Sequence, residues 1–294
     1  MSRFESSESQ SLLSKIRNPK GRIGKFLKAS APVWGFPLAA FRPGNVAMFH
    51  MGRCGSSVLG DLLNQHPKMY WGGEIYTPSI RSWRQQKHYK LQVEGATLQP
   101  DAFKILQRDM LVAGSKYYGC EVKFHHLTEG QIAIADYVNH LKQRNFKFIT
   151  LVRKNFLRSI VSNTVMFSSA KTKTHNRADE KAVLTKVTLD IGEARYNGYK
   201  KPLIEHLRTH QKNFSDFEAM SSAQNILKLT YEDNIFSNPS DAYLKTCEFL
   251  SLEPCDLKIR LKKTNPFPLS EIITNYEEVK SYLSDTEFAW MCES

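Results

Sequence analysis

The chain has 294 residues, of which 41% are hydrophobic, and this content is enough to bury a sizeable core, which excludes a disordered or fibrous protein. Lysine and arginine number 41 against 29 aspartates and glutamates, which gives a formal net charge of +12. Together with a pI near 9.4, this charge favours an anionic partner or substrate.

The cysteines and the apolar runs narrow the class further. The five cysteines lie far apart and include neither a CxxC pair nor a histidine cluster at metal spacing, so we expect no disulfide scaffold and no structural zinc site. A reducing, cytoplasmic compartment follows from this composition. No run of 18 uncharged apolar residues occurs, and the apolar stretch 31–41 is broken by proline and glycine, so we expect neither a transmembrane helix nor a signal peptide.

Three segments repeat the same pattern of an apolar run followed by residues at helical spacing. The runs 46–50, 146–152 and 226–231 each predict a strand, and each leads into a predicted helix. Strands that alternate with helices predict an α/β fold with a parallel sheet flanked by helices. We expect a basic arm over residues 1–44, which leaves peripheral contact with a membrane surface open. Residues 45–294 then form one domain, in which the polar segment 168–186 is a candidate lid.

The turn after the first predicted strand has the features of an anion site. A glycine turn that opens a helix presents unpaired backbone N–H groups, and the helix dipole favours negative charge there. Arg53, Ser56 and Ser57 add a cation and two hydroxyls. Ser56 stands where the G-x-x-x-x-G-K-[ST] pattern has its lysine, so a P-loop kinase is the weaker alternative, and a helix cap without a ligand is another.

This turn and the residues after it, 53–67, resemble the 5′-phosphosulfate-binding segment of sulfotransferases that use 3′-phosphoadenosine 5′-phosphosulfate (PAPS). The resemblance implies a P-loop nucleotide-kinase-like fold. It also implies that the 5′-phosphate and the sulfuryl group are held by Arg53, Gly55, Ser56 and Ser57. Cys54 replaces a commoner small residue of the family, and its backbone N–H is the group expected to matter.

A second phosphate site is indicated about a hundred residues later. Arg153 at a strand end, followed by Ser162 on a helix, resembles the family's 3′-phosphate motif, and Ser159 is an alternative ligand. Arginine at such a position is suited to bidentate phosphate binding. Two separated phosphate sites are what 3′-phosphoadenosine 5′-phosphate (PAP), the product nucleotide, requires. The segment 262–270 resembles the loop that covers the nucleotide. Lys262 and Lys263 are expected to be solvated surface lysines, with contact to phosphate as the alternative.

Two residues are candidates for the base that takes the acceptor's proton. Glu74 matches the glutamate that acts as base in carbohydrate and tyrosine sulfotransferases, and it is the first choice. His125, in Lys123-Phe124-His125, resembles the Lys-x-His of cytosolic sulfotransferases and is the second. Lys123 is expected to assist the bridging oxygen or to cover a sheet edge. Trp71 is expected to pack in the core, with contact to the adenine or the acceptor as the alternative.

The resemblance implies transfer of a sulfuryl group from PAPS, without a metal, to a hydroxyl or amine. The expected acceptor is a small-molecule natural product, a glycan or a glycolipid. A basic nucleic-acid-binding module is the alternative from another class. It is disfavoured because the basic residues are dispersed and no zinc-finger, RNP-type or helix-turn-helix signature occurs.

Overall fold

The computed structural model describes residues 39–77, 102–168, 176–177, 183–220, 226–262 and 266–293. Most of the predicted arm and most of the predicted lid therefore lie outside the described residues. The strands, in chain order, are β1 (Asn45–His50), β2 (Met69–Trp71), β3 (Tyr117–Lys123), β4 (Phe146–Val152), β5 (Asn176–Arg177), β6 (Ala194–Tyr196), β7 (Tyr199–Lys201), β8 (Ile226–Thr230) and β9 (Leu261–Lys262).

The helices connect these strands and cover the sheet. They are α1 (Ser56–Gln65), α2 (Ala102–Val112), α3 (Phe124–Glu129), α4 (Ile134–Lys142), α5 (Phe156–Ser168), α6 (Leu203–Met220), α7 (Tyr231–Asn234), α8 (Pro239–Leu250), α9 (Leu269–Ile272) and α10 (Tyr276–Leu283), followed by a 3-10 helix (Ala289–Cys292). Within the described part of the chain, none of these helices has the length and apolar character needed to cross a membrane.

The five-stranded sheet has the order β2-β3-β1-β4-β8, and every neighbouring pair is parallel. The predicted parallel α/β class is therefore confirmed. Connections from β1 lead to one side of the sheet, whereas those from β4 lead to the other, so the topological switch lies between these two strands. In open α/β sheets, ligands bind outside the carboxyl ends of the strands at such a switch point.

Alternate side chains of β1 pack into two separate hydrophobic cores, one on each face of the sheet. Val46 and Met48 pack in the core that α1 and α8 cover. Ala47 and Phe49 point to the opposite core, which includes side chains of α3, α4, α5 and α6. Because successive side chains of a strand point to opposite faces, an uninterrupted apolar run is what a strand buried on both faces requires.

Two small antiparallel pairs complete the described strands. β6 and β7 form a hairpin whose turn residues, Asn197 and Gly198, both have positive φ. β5 pairs with β9, which brings residues 176–177 beside residues 261–262.

Candidate active site

A cleft of about 1060 Å³ opens at the carboxyl ends of β1 and β4, where the strand order places a ligand site. Residues from segments far apart in the chain, between Gly52 and Trp290, meet in it. The sequence-predicted site residues that line it are Arg53, Gly55, Ser56, Ser57, Glu74, Lys123, Arg153 and Ser162. The predicted residues Cys54, His125 and Ser159 are not part of its lining.

The β1–α1 turn is built on three residues with positive φ: Gly52 at 96°, Arg53 at 55° and Gly55 at 84°. At Gly55 a side chain is also excluded by space, because a Cβ there would lie 2.7 Å from Cγ2 of Ile235. Helix α1 begins at Ser56, and its N-cap residue, Gly55, has no side chain that could accept a hydrogen bond from the first turn. Ser56 and Ser57 line the cleft, and their N–H groups precede the first hydrogen bond of the helix, which runs from Val58 N–H to the Gly55 carbonyl.

The β6–β7 hairpin fixes this turn from outside. The Tyr196 hydroxyl donates hydrogen bonds to the carbonyl oxygens of Met51 (2.8 Å) and Gly52 (3.0 Å). The side-chain amide of Asn197 also donates to the Met51 carbonyl, at 2.9 Å. The two carbonyls just before Arg53 are therefore satisfied by protein donors.

Arg53 connects the two predicted phosphate sites. Its Nε and Nη2 donate to Oγ of Ser162, at 3.0 and 2.9 Å. Arg153 donates from Nη1 to the carbonyl oxygen of Arg53 at 3.0 Å, and its guanidinium stacks over the ring of Tyr231. Ser159, which is buried, also places its hydroxyl 3.5 Å from the Arg53 carbonyl. The sequence assigned these residues to separate ends of a nucleotide, and the structure places them in direct contact.

A third arginine, Arg158, lines the same cleft, and it donates from Nη1 to the carbonyl oxygen of Phe267 at 3.1 Å. Burial lowers the pKa of all three arginines, and the charge of Arg153 further lowers the pKa of Arg53 and Arg158. The Nε atom of Arg153 is buried and has no hydrogen-bond partner among the described residues. A bound anion would relieve the mutual repulsion and satisfy this donor.

Glu74 and Lys123 form an ion pair at another part of the cleft wall. Lys123 Nζ lies 2.6 Å from Glu74 Oε1, and the Thr77 hydroxyl donates to Glu74 Oε2 at 2.7 Å. Burial alone would raise the pKa of Glu74, but the charge and hydrogen bond of Lys123 bring it down to about 2. The carboxylate is therefore ionised at neutral pH, which is the state that can accept a proton.

Only one of the two candidate bases reaches the cleft. His125 lies on α3, where its ring packs edge-on against that of His126, with the centroids 4.6 Å apart. Trp71 is buried in the core and donates from Nε1 to Glu121 at 3.0 Å, as expected from core packing and not from the alternative contact with a ligand. Lys262 lies in β9, and nothing is described of its side chain. Lys263 lies outside the described residues.

A buried ion pair supports the turn from below. His50, the last residue of β1, places Nε2 3.2 Å from Oε2 of Glu121 on β3. Burial opposes protonation of His50, but Cys54 and Glu121 raise its pKa to about 9. Helix α1 passes this pair at Gly60, where a Cβ would lie 2.7 Å from Nε1 of Trp71 and 2.9 Å from Oε1 of Glu121. Glycine at this position lets the helix approach the pair.

Replacing His50 by Leu should lower the free energy of unfolding by about 3–5 kcal/mol, because it leaves the Glu121 carboxylate buried without its cation. The double variant His50→Gln, Glu121→Gln removes both charges and should cost less. Denaturant unfolding of the two variants checks this difference. Equal losses in both would mean that the shape of the side chains matters more than their charge.

The pair also predicts a pH dependence of stability. The folded-state pKa of His50 is raised, so its contribution is complete below its unfolded value of 6.5 and is lost as the pH rises through about 9. Burial raises the pKa of Glu121, but His50 brings it below its ordinary value of 4.5, so its contribution is lost in acid below that value. The His50→Gln, Glu121→Gln variant should show a flatter unfolding free energy between pH 6.5 and 9.

Several residues of the site were missed by the sequence analysis. They are Arg158, Tyr231, Tyr196 and Asn197 around the anion positions, and Thr77 and His126 behind Glu74. Arg158 lies five residues after Arg153, in the first turn of α5, and could have been found there as a second cation beside the predicted phosphate site. Tyr196, Asn197 and Tyr231 reach the site from distant segments and carry no local signal. Thr77 and His126 lie three residues after Glu74 and Lys123, but nothing in the sequence links them to each other. Across the described residues, no group of three or more His, Cys, Asp or Glu side chains could hold a metal ion.

No protein-family model matches the chain, and no curated protein matches it either. Similar solved structures include a sulfotransferase from Alicyclobacillus acidocaldarius, with 15% identity and a TM-score of 0.47 over 85% of this chain and 94% of that one. A second is the sulfotransferase domain of the Synechococcus PCC 7002 olefin synthase, with 17% identity and a TM-score of 0.40 over 73% of this chain and 75% of that one.

A third is a sulfotransferase from Mycobacterium tuberculosis H37Rv, with 10% identity and a TM-score of 0.44 over 78% of this chain and 73% of that one. These structures carry the name of the family that the motifs around Arg53 and Arg153 resemble. We base the proposed function on the side chains that line the cleft and not on these similarities.

Proposed function

We propose that this chain is a sulfotransferase that moves a sulfuryl group from PAPS to a hydroxyl or amine of its acceptor. The observation that carries the proposal is that one cleft is lined both by groups that attract anions and by a carboxylate that can accept a proton. Three arginines and the start of α1 supply positive potential for anions, and a carboxylate–lysine pair lines the same cleft. Sulfuryl transfer between a phosphate and a hydroxyl needs both parts.

The anion positions suit a nucleotide with two phosphate groups. The N–H groups at the start of α1, with Arg53, would hold the 5′ end, as they hold phosphate in other strand–turn–helix sites. The buried Nε of Arg153 and the guanidinium of Arg158 would hold the 3′-phosphate. PAPS fits this donor set, because the Nε of Arg153 is a buried donor that an anion would satisfy.

Three apolar side chains on the cleft wall suit the base of the nucleotide. Phe236, Ile259 and Trp290 line the cleft and remain 54%, 41% and 47% exposed. Large apolar side chains exposed together mark a binding surface. A flat heteroaromatic base packed on them would remove this surface from water.

The roles of the protein side chains follow from their positions. When bound, PAPS supplies a sulfuryl group on a phosphate leaving group. Arg53 and the N–H groups of Ser56 and Ser57 stabilise negative charge at the 5′-phosphate. Lys123 Nζ, on the same cleft, would stabilise negative charge on the leaving phosphate. Glu74 would take the acceptor's proton while the acceptor's oxygen or nitrogen bonds to sulfur, the bond from sulfur to the 5′-phosphate breaks, and PAP leaves with the electron pair of that bond.

The acceptor that we propose is a small-molecule natural product or a glycan or glycolipid, which enters beside Glu74 and Lys123. The protein acts in the cytoplasm on this view, and it does not need nucleic acid as a partner. The positive charge of the cleft serves the donor nucleotide.

Thermal unfolding with PAP, compared with ATP plus Mg²⁺, tests the proposal. A ligand at about 100 times its Kd stabilises the native state by about 2.7 kcal/mol. We expect PAP to raise the Tm and ATP with Mg²⁺ to raise it less. A rise with ATP and Mg²⁺ alone would favour a kinase, and no rise with either would contradict the nucleotide site.

Replacing Arg153 by Ala should weaken PAP binding about 10- to 100-fold, because it removes a charge-assisted hydrogen-bond donor from the cleft. The matched control is Arg195→Ala. Arg195 is exposed on β6, stacks on Phe167 and is absent from the cleft lining. Titration calorimetry with PAP measures both, and unchanged affinity in Arg153→Ala would remove this residue from the 3′-phosphate site.

A further inference from the structure

A line of hydrogen bonds behind the cleft ends on Glu74. The Thr77 hydroxyl donates to Glu74 Oε2, and Thr77 Oγ1 lies 3.3 Å from Nε2 of His126. On the far side of the ring, the backbone N–H of Lys123 donates to Nδ1 of His126 at 3.3 Å. Neither Thr77 nor His126 belongs to the lining of the cleft, and His126 is 4% exposed.

The backbone N–H of Lys123 determines the direction of the other hydrogen bonds in this line. Because Nδ1 of His126 accepts from the Lys123 N–H, the ring carries its proton on Nε2. Nε2 therefore donates to Thr77 Oγ1, and Thr77 can only donate onward to the carboxylate. Every bond in the line points toward Glu74, so the line favours the ionised form of that carboxyl.

We propose that Thr77 and His126 are positioning residues, which hold the ionised Glu74 carboxylate with Oε2 bound from behind and Oε1 directed to Lys123 and the acceptor. The inference rests on the proposed function of Glu74 as the base. It assigns a role to His126 where the sequence had pointed to its neighbour His125. The line does not carry a proton away, because Nε2 of His126 is already a donor.

Other charged groups also act on Glu74 and must be held constant in a test. Lys123 at the end of β3 is its ion-pair partner, and His50 at the end of β1 adds a further positive charge. Arg53 and Glu121 interact with it at longer range, with opposite sign. Substitutions at Thr77 and His126 leave all four of these groups in place.

The first measurement is the pKa of Glu74, read by carbon-13 NMR of the side-chain carboxyls, with Glu74→Gln to assign the signal. It is made in a Lys123→Met background, which brings the pKa up into a range where the protein can be titrated. Thr77→Val should then raise the pKa by about one unit, since the ionised form loses a hydrogen bond. Thr77→Ser keeps the hydroxyl and should restore the parent value.

Two substitutions of His126 separate positioning from simple support of the backbone. Asn places its amide near the position of Nδ1, so it can accept from the Lys123 N–H but does not reach Thr77. Gln places its amide near the position of Nε2 and can donate to Thr77. We expect His126→Asn to raise the pKa of Glu74 as Thr77→Val does, and His126→Gln to leave it nearer the parent value.

The second measurement is the rate at which PAP is released from PAPS with water as acceptor, with Lys123 intact. Thr77→Val and His126→Asn should each slow it about tenfold without weakening PAP binding, whereas Thr128→Val on the exposed side of α3 should not. The inference would be overturned if Thr77→Val left the pKa of Glu74 unchanged. It would also be overturned if His126→Gln slowed the release of PAP while His126→Asn did not. If the substitutions changed the pKa of Glu74 but not the rate of PAP release, the hydrogen-bond line would stand and Glu74 would not be the base.

Discussion

Replacing Glu74 by Gln is expected to slow sulfuryl transfer by a factor of about 10² to 10⁴, the usual contribution of a general base, while PAP binding persists. The amide has nearly the shape of the carboxylate but cannot take the acceptor's proton. The partners of the Glu74 carboxylate are Lys123 and Thr77, so its loss leaves the hydrogen bonds of Arg53 and Arg153 in place. Transfer of labelled sulfate from PAPS to trial acceptors and calorimetric binding of PAP measure the two effects.

The matched control for Glu74→Gln is His125→Gln. The imidazole of His125 packs against His126 on α3 and does not line the cleft, so its loss should leave turnover near the parent value. The opposite result, with turnover lost in His125→Gln and retained in Glu74→Gln, would make the histidine the base. Loss of PAP binding in Glu74→Gln would instead mean that the carboxylate supports the donor site.

Replacing Arg53 by Ala should lower turnover by a factor of about 10² to 10³, similar to the loss of one donor from an oxyanion hole. The substitution removes the cation from the turn that holds the 5′ end. It also leaves the hydroxyl of Ser162 without the guanidinium that donates to it twice. PAP should still bind with reduced affinity, because Arg153 and Arg158 remain in the cleft.

Two variants test the reason for this loss. Ser162→Ala frees the Arg53 guanidinium without removing its charge, and it should cost less than Arg53→Ala. Arg195→Ala removes an arginine outside the cleft and should not change turnover. If Arg195→Ala lowered turnover as much as Arg53→Ala, net charge rather than the site would be responsible.

The strands and helices that build the site were predictable from sequence because each is specified locally. The run 146–152 was predicted as a strand and is β4, and the run 46–50 differs from β1 by one residue. Their continuous apolar character reflects burial on both faces of a parallel sheet. The glycine turn before α1 was predictable for the same reason, since positive φ leaves a mark in the sequence.

The contacts that complete the site were not predictable, because they join segments far apart in the chain. Tyr196 and Asn197 reach the carbonyl of Met51 across about 145 positions, and no periodicity records such a contact. The choice between His125 and His126 has the same character. The two are adjacent on α3 and therefore point about 100° apart, and only the position of Thr77 decides which ring matters.

Two hydrogen bonds link the proposed phosphate sites and bear on which nucleotides the cleft selects. Arg153 donates to the carbonyl of Arg53, and the Arg53 guanidinium donates to the hydroxyl of Ser162. On the proposed function, the residues that bind one end of the donor therefore also position the residues that bind the other end. In the proposed complex, a nucleotide that lacks the 3′-phosphate leaves the buried Nε of Arg153 unsatisfied, and Arg153 is also the residue that donates to the Arg53 carbonyl of the turn. Discrimination against the abundant 5′-nucleotides of the cell would exceed the sum of the two phosphate contacts taken separately.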